Sequence, residues 1–192
     1  YAEERPIALV LPSLYSEIHG PALKRIVEEL IQVPYLTQCV LSLSGPAGPA
    51  EYREFRALVE PIRSMDDEPA TVIWNQGPRI QALIQRLRDE GLDPGSEGKG
   101  RANWLAYGYV LATHRARVVA THDCDILDYD RDLLARLVFP TANPNMSYEF
   151  AKGYYSRVSD RMHGRVTRLF MTPLIRAMKS VLGPVPLLDY LE

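Results

Sequence analysis

The chain has 192 residues, of which 46% are hydrophobic and 24% are charged, and its formal net charge is −2. This composition is typical of a globular protein with one sizeable core, and it excludes an intrinsically disordered chain. The mixed charge forms no basic stripe for DNA or RNA, and no apolar run is long enough to cross a bilayer. We therefore expect neither a nucleic acid nor a membrane as a partner.

Two cysteines, Cys39 and Cys124, fall in or next to predicted buried strands. A disulfide framework is not expected from so few thiols, and the pattern favours a reducing compartment. We take this compartment to be the cytoplasm.

Short buried strands alternate with amphipathic helices along most of the chain. Apolar runs predict four strands, and apolar residues at helical spacing predict helices between and after them. The predicted strands cover 7–11, 36–43, 70–74 and 117–122. One predicted helix begins at Pro21, and the others cover 51–60, the region of 80–87, 103–113, 131–138 and 167–182. Pro173 is expected to kink or split the last of them. This order predicts a parallel α/β sheet with helices on both faces, in a single domain over residues 1–192.

One stretch, 148–164, breaks the alternation of strands and helices. Residues 147–155 look extended. We predict that this stretch adds an antiparallel or loop element at one end of the sheet.

Two carboxylates follow the fourth predicted strand in "VVATHDCDILDYD", at Asp123 and Asp125. Open α/β sheets bind ligands beyond the carboxyl ends of their strands, and residues one apart in extended chain point to the same side. A hard cation such as Mg²⁺ binds one or two carboxylates together with substrate phosphate oxygens. The pair therefore predicts a site for a nucleotide diphosphate with Mg²⁺ or Mn²⁺. The alternative is a solvated turn or a helix cap, the role that we assign to Asp128, Asp130 and Asp132.

A glycine-rich loop, "GSEGKGRANW", precedes a predicted helix and contains Lys99. It is not a Walker P-loop, because Asp93 and Gly100 stand where that motif needs glycine and Ser or Thr. No Gly-x-Gly-x-x-Gly follows the first strand, which argues against a dinucleotide site. Lys99 can bring a positive charge to a phosphate at a helix N-terminus, or it is a solvated loop lysine.

Several motifs together resemble the retaining glycosyltransferases with a GT-A fold, and in particular the glucosyl-3-phosphoglycerate synthases and their mannosyl relatives. They are "LPSL" in the first strand, the "GKG" loop, the Asp-x-Asp pair, "KGYYSR" and "GRVTRLFMTPLIRAM". The resemblance runs from about Ile7 to Met178. It implies a Rossmann-like, mostly parallel sheet flanked by helices.

The resemblance also implies an activity. Such an enzyme moves a hexose, glucose or mannose, from a UDP or GDP sugar to 3-phosphoglycerate or a related glycerate, with retention and with a divalent metal. We name no catalytic nucleophile. In such enzymes the acceptor attacks the sugar from the same face that the leaving diphosphate departs from, and this route to retention needs no side-chain nucleophile. The resemblance is compatible with a homodimer.

The alternatives are a GT-A transferase with another acceptor, or a non-catalytic module that binds a nucleotide sugar. A nucleotidyltransferase would carry a basic, glycine-rich signature after the first strand, which "PSLYSEIHG" lacks.

Site residues follow from the positions that match the family's motifs. The donor nucleotide is expected at Pro12, Ser13, Leu14, Glu17, Ser44, Lys99 and Asp123, the metal at Asp125, and the acceptor at Gly164, Arg165 and Thr167. Asp123 matches the ribose position. Tyr15, Ser16 and Glu17 replace the family's acidic pair and Leu43 replaces an aspartate, so the choice between UDP and GDP stays open. Family members continue further, with a histidine that completes the metal site, so we expect a domain truncated at its C-terminus that binds nucleotide and transfers little.

Overall fold

The computed structural model describes residues 1–45, 48–153 and 167–189. The chain divides into two compact units, Tyr1–Lys152 and Gly153–Glu192. The single domain predicted for residues 1–192 stays a prediction.

Four strands of the first unit form one sheet. They are β1 (Ile7–Leu14), β2 (Leu36–Ser44), β3 (Thr71–Trp74) and β4 (Val118–Thr121), in the order β3-β2-β1-β4. Each neighbouring pair is parallel. The predicted parallel sheet is therefore confirmed. Because all strands run in one direction, their carboxyl ends meet at one edge.

Five helices of the first unit connect or follow these strands. They are α1 (Pro21–Leu30), α2 (Pro49–Val59), α3 (Pro78–Asp89), α4 (Lys99–Thr113) and α5 (Arg131–Ala142), and a short 3-10 helix, Tyr15–His19, follows β1. The first three begin at a Gly-Pro pair, with glycine at the N-cap and proline inside the first turn. Proline is favoured there because its fixed φ suits a helix and its missing N–H has no partner to lose.

Apolar side chains of β1 and β2 alternate between two packed faces. On one face Leu9 and Leu41 pack into a large core with α1, α2 and α5; on the other, Val10 and Val40 pack with α4. The larger core is completed by Leu23, Leu30, Phe55, Val59 and Leu134, all buried. Each such side chain contributes roughly 1.5–3 kcal/mol by leaving water. The prediction of helices on both faces is confirmed.

The first strand extends beyond its predicted end. The sequence predicts that Pro12 terminates it, whereas β1 continues to Leu14 and Pro12 pairs with Ser42 of β2. β4 pairs with β1 only as far as Val10, so that beyond this residue β1 has a single neighbour. A proline is tolerated where one side of a strand makes no ladder hydrogen bonds.

The second unit is described over its helical part. A π-helical turn, Thr167–Met171, leads into α6 (Thr172–Leu182), and α7 (Pro186–Asp189) follows. The predicted helix is thus split next to Pro173, which lies in the first turn of α6. Over 147–153 the backbone forms no strand, and the remainder of the segment predicted as extended lies outside the described residues. Over the described ranges, no helix combines the length and apolarity needed to cross a bilayer.

Candidate functional site

The carboxyl ends of all four strands meet at one edge of the sheet. Leu14 at the end of β1 pairs in register with Ser44 at the end of β2. Asn75 directly follows β3, and its N–H donates to Leu43 O at 3.0 Å. On the other side of β1, the chain leaving β4 is tied to it, since His122 N donates to Val10 O at 3.2 Å. The residues predicted after separate strands therefore share one edge.

Lys99 and Asp123, predicted from two unrelated motifs, contact each other directly. Lys99 Nζ lies 2.5 Å from Asp123 Oδ1, and their side chains are 58% and 36% exposed. Lys99 is the first residue of α4 rather than part of the loop before it, so α4 begins four residues earlier than predicted. Gly98 makes this start attainable, because its φ of 156° is rarely adopted by residues with a Cβ. Lys99 thus brings one positive charge to the site, next to the carboxylate of Asp123.

A buried hydrogen-bond network holds the start of α4 against the sheet. Ser42 Oγ donates to Ala102 O at 3.1 Å, one turn after Lys99. Asn75 Nδ2 donates to Ser42 Oγ and to Ser44 Oγ, both at 2.9 Å. These contacts fix the position of the α4 N-terminus relative to the end of β2.

The two aspartates lie on either side of a buried cysteine. Cys124 is 1% exposed, and its Sγ lies 2.7 Å from Ser13 Oγ of β1. Burial raises the pKa of the Cys124 thiol, so it stays protonated and packs in the core. The expectation of an extended Asp-x-Asp segment was wrong, because Cys124 and Asp125 form a turn. Burial of the central residue in this turn leaves Asp125 exposed and Asp123 half-buried.

Glu17 forms a hydrogen bond to the backbone of β1, and its pKa is affected by the charged residues of the site. Its carboxylate accepts the Leu14 N–H at 2.9 Å. The pKa of Glu17 is raised, mainly because the carboxyl group is partly buried. The Leu14 N–H and the charge of Lys99 lower this pKa, and the negative charges of Asp125 and Asp123 raise it. Three carboxylates and one lysine therefore share one electrostatic environment, with an excess of negative charge that a cation would neutralise.

The donor set at this edge fits a divalent cation only if a ligand contributes oxygens. Within the described ranges, no cluster of three or more His, Cys, Asp or Glu side chains is arranged to hold a metal. Asp125 offers an exposed carboxylate in the turn after β4. Mg²⁺ is commonly bound in this way, by one or two carboxylates together with substrate phosphates.

The remaining predicted site residues are placed as follows. Pro12 is buried within β1, the side chain of Ser13 faces the core, and Leu14 is 51% exposed at the edge. Gly164 and Arg165 lie outside the described residues. Thr167 is described only as the first residue of the π-helical turn.

Sequence reasoning missed two buried polar groups next to this edge. Asn75 is 3% exposed, and the signal that could have found it is its place directly after a strand, the same signal that singled out Asp123. His122 is 4% exposed and its Nδ1 lies 3.1 Å from Tyr129 OH. Burial lowers the pKa of His122 to about 4, which keeps the ring neutral.

Two curated proteins are similar to this chain in sequence. It is 44% identical over all 192 residues to the glucosyl-3-phosphoglycerate synthase of Persephonella marina. It is 37% identical over 180 residues to the glucosyl-3-phosphoglycerate synthase of Methanococcoides burtonii. The matches cover 46% and 43% of those proteins, so the chain spans somewhat under half the length of the curated relatives it matches. No protein-family model matches the chain.

Solved structures show the same similarity. The Mycobacterium tuberculosis glucosyl-3-phosphoglycerate synthase in complex with Mn²⁺, UDP-glucose and phosphoglyceric acid matches 96% of this chain, with a TM-score of 0.61 and 25% identity. Its complex with phosphoglyceric acid matches with a TM-score of 0.60 and 26% identity. In both matches this chain covers 54% of the solved chain. The GT-A fold and the resemblance inferred from the motifs are therefore confirmed.

Proposed function

We propose that this chain is the nucleotide-sugar-binding part of a glycosyltransferase that moves glucose from UDP-glucose to 3-phosphoglycerate. The observation that carries the proposal is the Lys99–Asp123 pair at the carboxyl edge of a parallel sheet, beside Glu17 and Asp125. Both curated relatives are named for the glucosyl transfer, and a solved relative holds UDP-glucose, which favours glucose over mannose and UDP over GDP.

The donor diphosphate has a natural counter-charge in this site. Lys99 Nζ lies at the first turn of α4, where the unpaired backbone N–H groups of the helix also favour an anion. Its charge would stabilise the negative charge that develops on the leaving diphosphate. Asp123 beside it would accept hydrogen bonds from ribose hydroxyl groups, while Leu14 and Ser44 would border the base.

Asp125 is the residue that would hold the cation, Mg²⁺ or Mn²⁺. A cation bound there supplies Lewis-acid neutralisation of the diphosphate. The exposed position of Asp125 leaves room for phosphate oxygens to complete the coordination. A relative of known structure was solved with Mn²⁺ and UDP-glucose together, which supports a joint site.

The acceptor would bind at Gly164, Arg165 and Thr167. The guanidinium of Arg165 can donate two parallel hydrogen bonds to a phosphate or a carboxylate, and the Thr167 hydroxyl can donate another. Gly164 would let the backbone approach the ligand closely. A small dianion such as 3-phosphoglycerate suits this set better than a neutral sugar. The transfer would retain the anomeric configuration, without a side-chain nucleophile.

A thermal-shift experiment tests the donor assignment. The purified chain is heated with UDP, GDP, UDP-glucose or GDP-mannose, each with Mn²⁺ and with EDTA. A ligand that binds only the folded state raises Tm, and the largest rise is expected for UDP-glucose with Mn²⁺. A larger rise with GDP-mannose would contradict the choice of donor. No rise with any nucleotide would contradict the nucleotide site itself.

Transfer is measured separately from binding. Glucosyl-3-phosphoglycerate formation from UDP-glucose and 3-phosphoglycerate is followed with the same chain. Nucleotide binding together with transfer supports the enzyme. Nucleotide binding without transfer favours a chain that binds the donor and leaves catalysis to other residues.

A further inference from the structure

Asn75 occupies a rigid, buried position at the end of β3. The residue is 3% exposed. Its N–H donates to Leu43 O at 3.0 Å, and its C=O accepts a hydrogen bond from Gln81 Nε2 at 2.6 Å. Both backbone groups are therefore committed, and the side chain contacts Ser42 and Ser44 of β2.

The hydrogen bonds around Asn75 favour one direction of donation. Ser42 Oγ carries a single proton, which it donates to Ala102 O, and a carbonyl oxygen can only accept. Ser42 Oγ then accepts from Asn75, and the amide atom that faces the two serines is the nitrogen Nδ2. The oxygen Oδ1 is buried without a partner in the described part of the chain, and the reverse orientation would leave the two protons of the NH₂ group unpaired there instead. One N–H of this nitrogen goes to Ser42 and the other to Ser44, at 2.9 Å each.

This direction decides what Ser44 can do. Because Ser44 Oγ accepts from Asn75, its own proton is free for a different acceptor, and the described part of the chain provides none for it. Ser44 is half-buried at the carboxyl end of β2, in register with the exposed Leu14. The hydroxyl is therefore a hydrogen-bond donor at the carboxyl edge that carries the candidate site.

We propose that Asn75 is a positioning residue that sets the specificity for the nucleotide base by holding the Ser44 hydroxyl as a donor. A donor at this point selects a base that presents a carbonyl oxygen, such as uracil, and disfavours one that presents an amino group in the same place, such as cytosine. The two bases have the same size and differ at this edge in hydrogen-bond polarity. Two donors facing each other would leave a polar group unpaired, which is costly in a partly buried site. This inference rests on the proposed function, in which Ser44 borders the base.

The test compares UDP with CDP in variants of the network. Asn75→Asp keeps the shape of the side chain and replaces the NH₂ group by an oxygen, which can only accept. Ser44 must then donate to the new carboxylate rather than to the base. The affinity ratio of UDP to CDP, measured by isothermal titration with Mn²⁺, is expected to fall at least about tenfold. Because UDP and CDP carry the same ribose and diphosphate, repulsion between the new carboxylate and the diphosphate cancels in the ratio.

Gln38→Glu is the matched control. Gln38 is another buried side-chain amide, in β2 and 7% exposed, and its amide lies 3.0 Å from Thr113 Oγ1 of α4. It lies toward the amino end of the strand, six residues before Ser44. The same change from amide to carboxylate is expected to leave the ratio as in the wild type.

Ser44→Ala provides a second route to the answer, because it removes the proposed donor without burying a charge. It is expected to reduce the preference for UDP to a similar extent as Asn75→Asp. If Asn75→Asp does not fold, Asn75→Ala replaces it, and the same loss of preference is expected because the Ser44 hydroxyl is no longer held as a donor. Wild-type protein without a preference for UDP, or folded variants that keep the full preference, would overturn the inference and leave the nucleotide site intact. Wild-type protein that binds neither nucleotide would overturn the proposed function, and this inference with it.

Discussion

Lys99 and Asp123 form an ion pair at the carboxyl edge of the sheet, with Nζ 2.5 Å from Oδ1. The two residues come from the start of α4 and from the chain after β4. Both side chains are more than a third exposed, and an exposed ion pair contributes only about 0–1 kcal/mol to stability. The pair therefore matters because it positions the charge of Lys99 at the site, and it contributes little to the stability of the fold.

Replacement of Lys99 by alanine tests the role of this charge. Lys99→Ala is expected to weaken UDP binding about tenfold or more, because a charge-assisted contact to the diphosphate is lost, while Tm changes by less than about 2 °C. Isothermal titration and a thermal melt measure the two effects. Lys24→Ala, at an exposed lysine of α1, is the control. A Lys99→Ala protein that is strongly destabilised and still binds UDP normally would show that the lysine is structural.

Asp125 is expected to account for the metal dependence of nucleotide binding. Asp125→Ala should abolish the gain in UDP affinity that Mn²⁺ produces over EDTA, because the exposed carboxylate that would hold the cation is gone. Asp128→Ala, at an exposed aspartate three residues later, should keep the gain. Titrations with Mn²⁺ and with EDTA measure it. Wild-type affinity in Asp125→Ala with Mn²⁺ would remove this residue from the metal site.

His122 is expected to make the fold sensitive to acid. Its pKa in the folded chain is about 4, below the ordinary value of 6.5, because burial disfavours the charged ring although Asp123 lies nearby. The unfolded chain therefore binds a proton that the folded chain does not, and stability is lost as the pH falls from about 6.5 to about 4. The loss is on the order of 3 kcal/mol at the lower end.

Urea unfolding followed by tryptophan fluorescence measures this loss, since Trp74 and Trp104 both lie in the first unit. His122→Gln keeps a polar group near Tyr129 and has no ring to titrate, so its free energy of unfolding should fall less over the same pH range. Parallel pH profiles for the two proteins would contradict the assignment to His122.

Arg165 is expected to act on the acceptor alone. Arg165→Ala should weaken the binding of 3-phosphoglycerate about tenfold or more in the presence of UDP and Mn²⁺, because one forked contact to an anion is lost. UDP binding should barely change. Arg56→Ala, at an exposed arginine of α2, is the control. Equal damage to both ligands would indicate a folding defect, and unchanged binding of both would exclude Arg165 from the acceptor site.

Local patterns in the sequence were sufficient to predict the α/β fold. Apolar periodicity located all four strands of the sheet and the helices around it, because burial of one face or both faces repeats along a strand or a helix. The start of α1 was predicted at Pro21, and the structure places it there. The carboxyl-end rule for parallel sheets singled out Asp123, and the glycine loop singled out Lys99.

Tertiary structure alone decided how these candidates are combined. The Lys99–Asp123 pair, the Ser13–Cys124 contact and the bonds from Asn75 to two serines each join residues that lie 24 or more positions apart, and no local pattern indicates them. Residues so distant in sequence meet only after the sheet has paired and α4 has packed on it. The direction of the Asn75 network depends further on a carbonyl of α4, which no sequence pattern can reveal. The sequence by itself therefore determined which elements form and which edge carries the site, and packing determined which side chains act together.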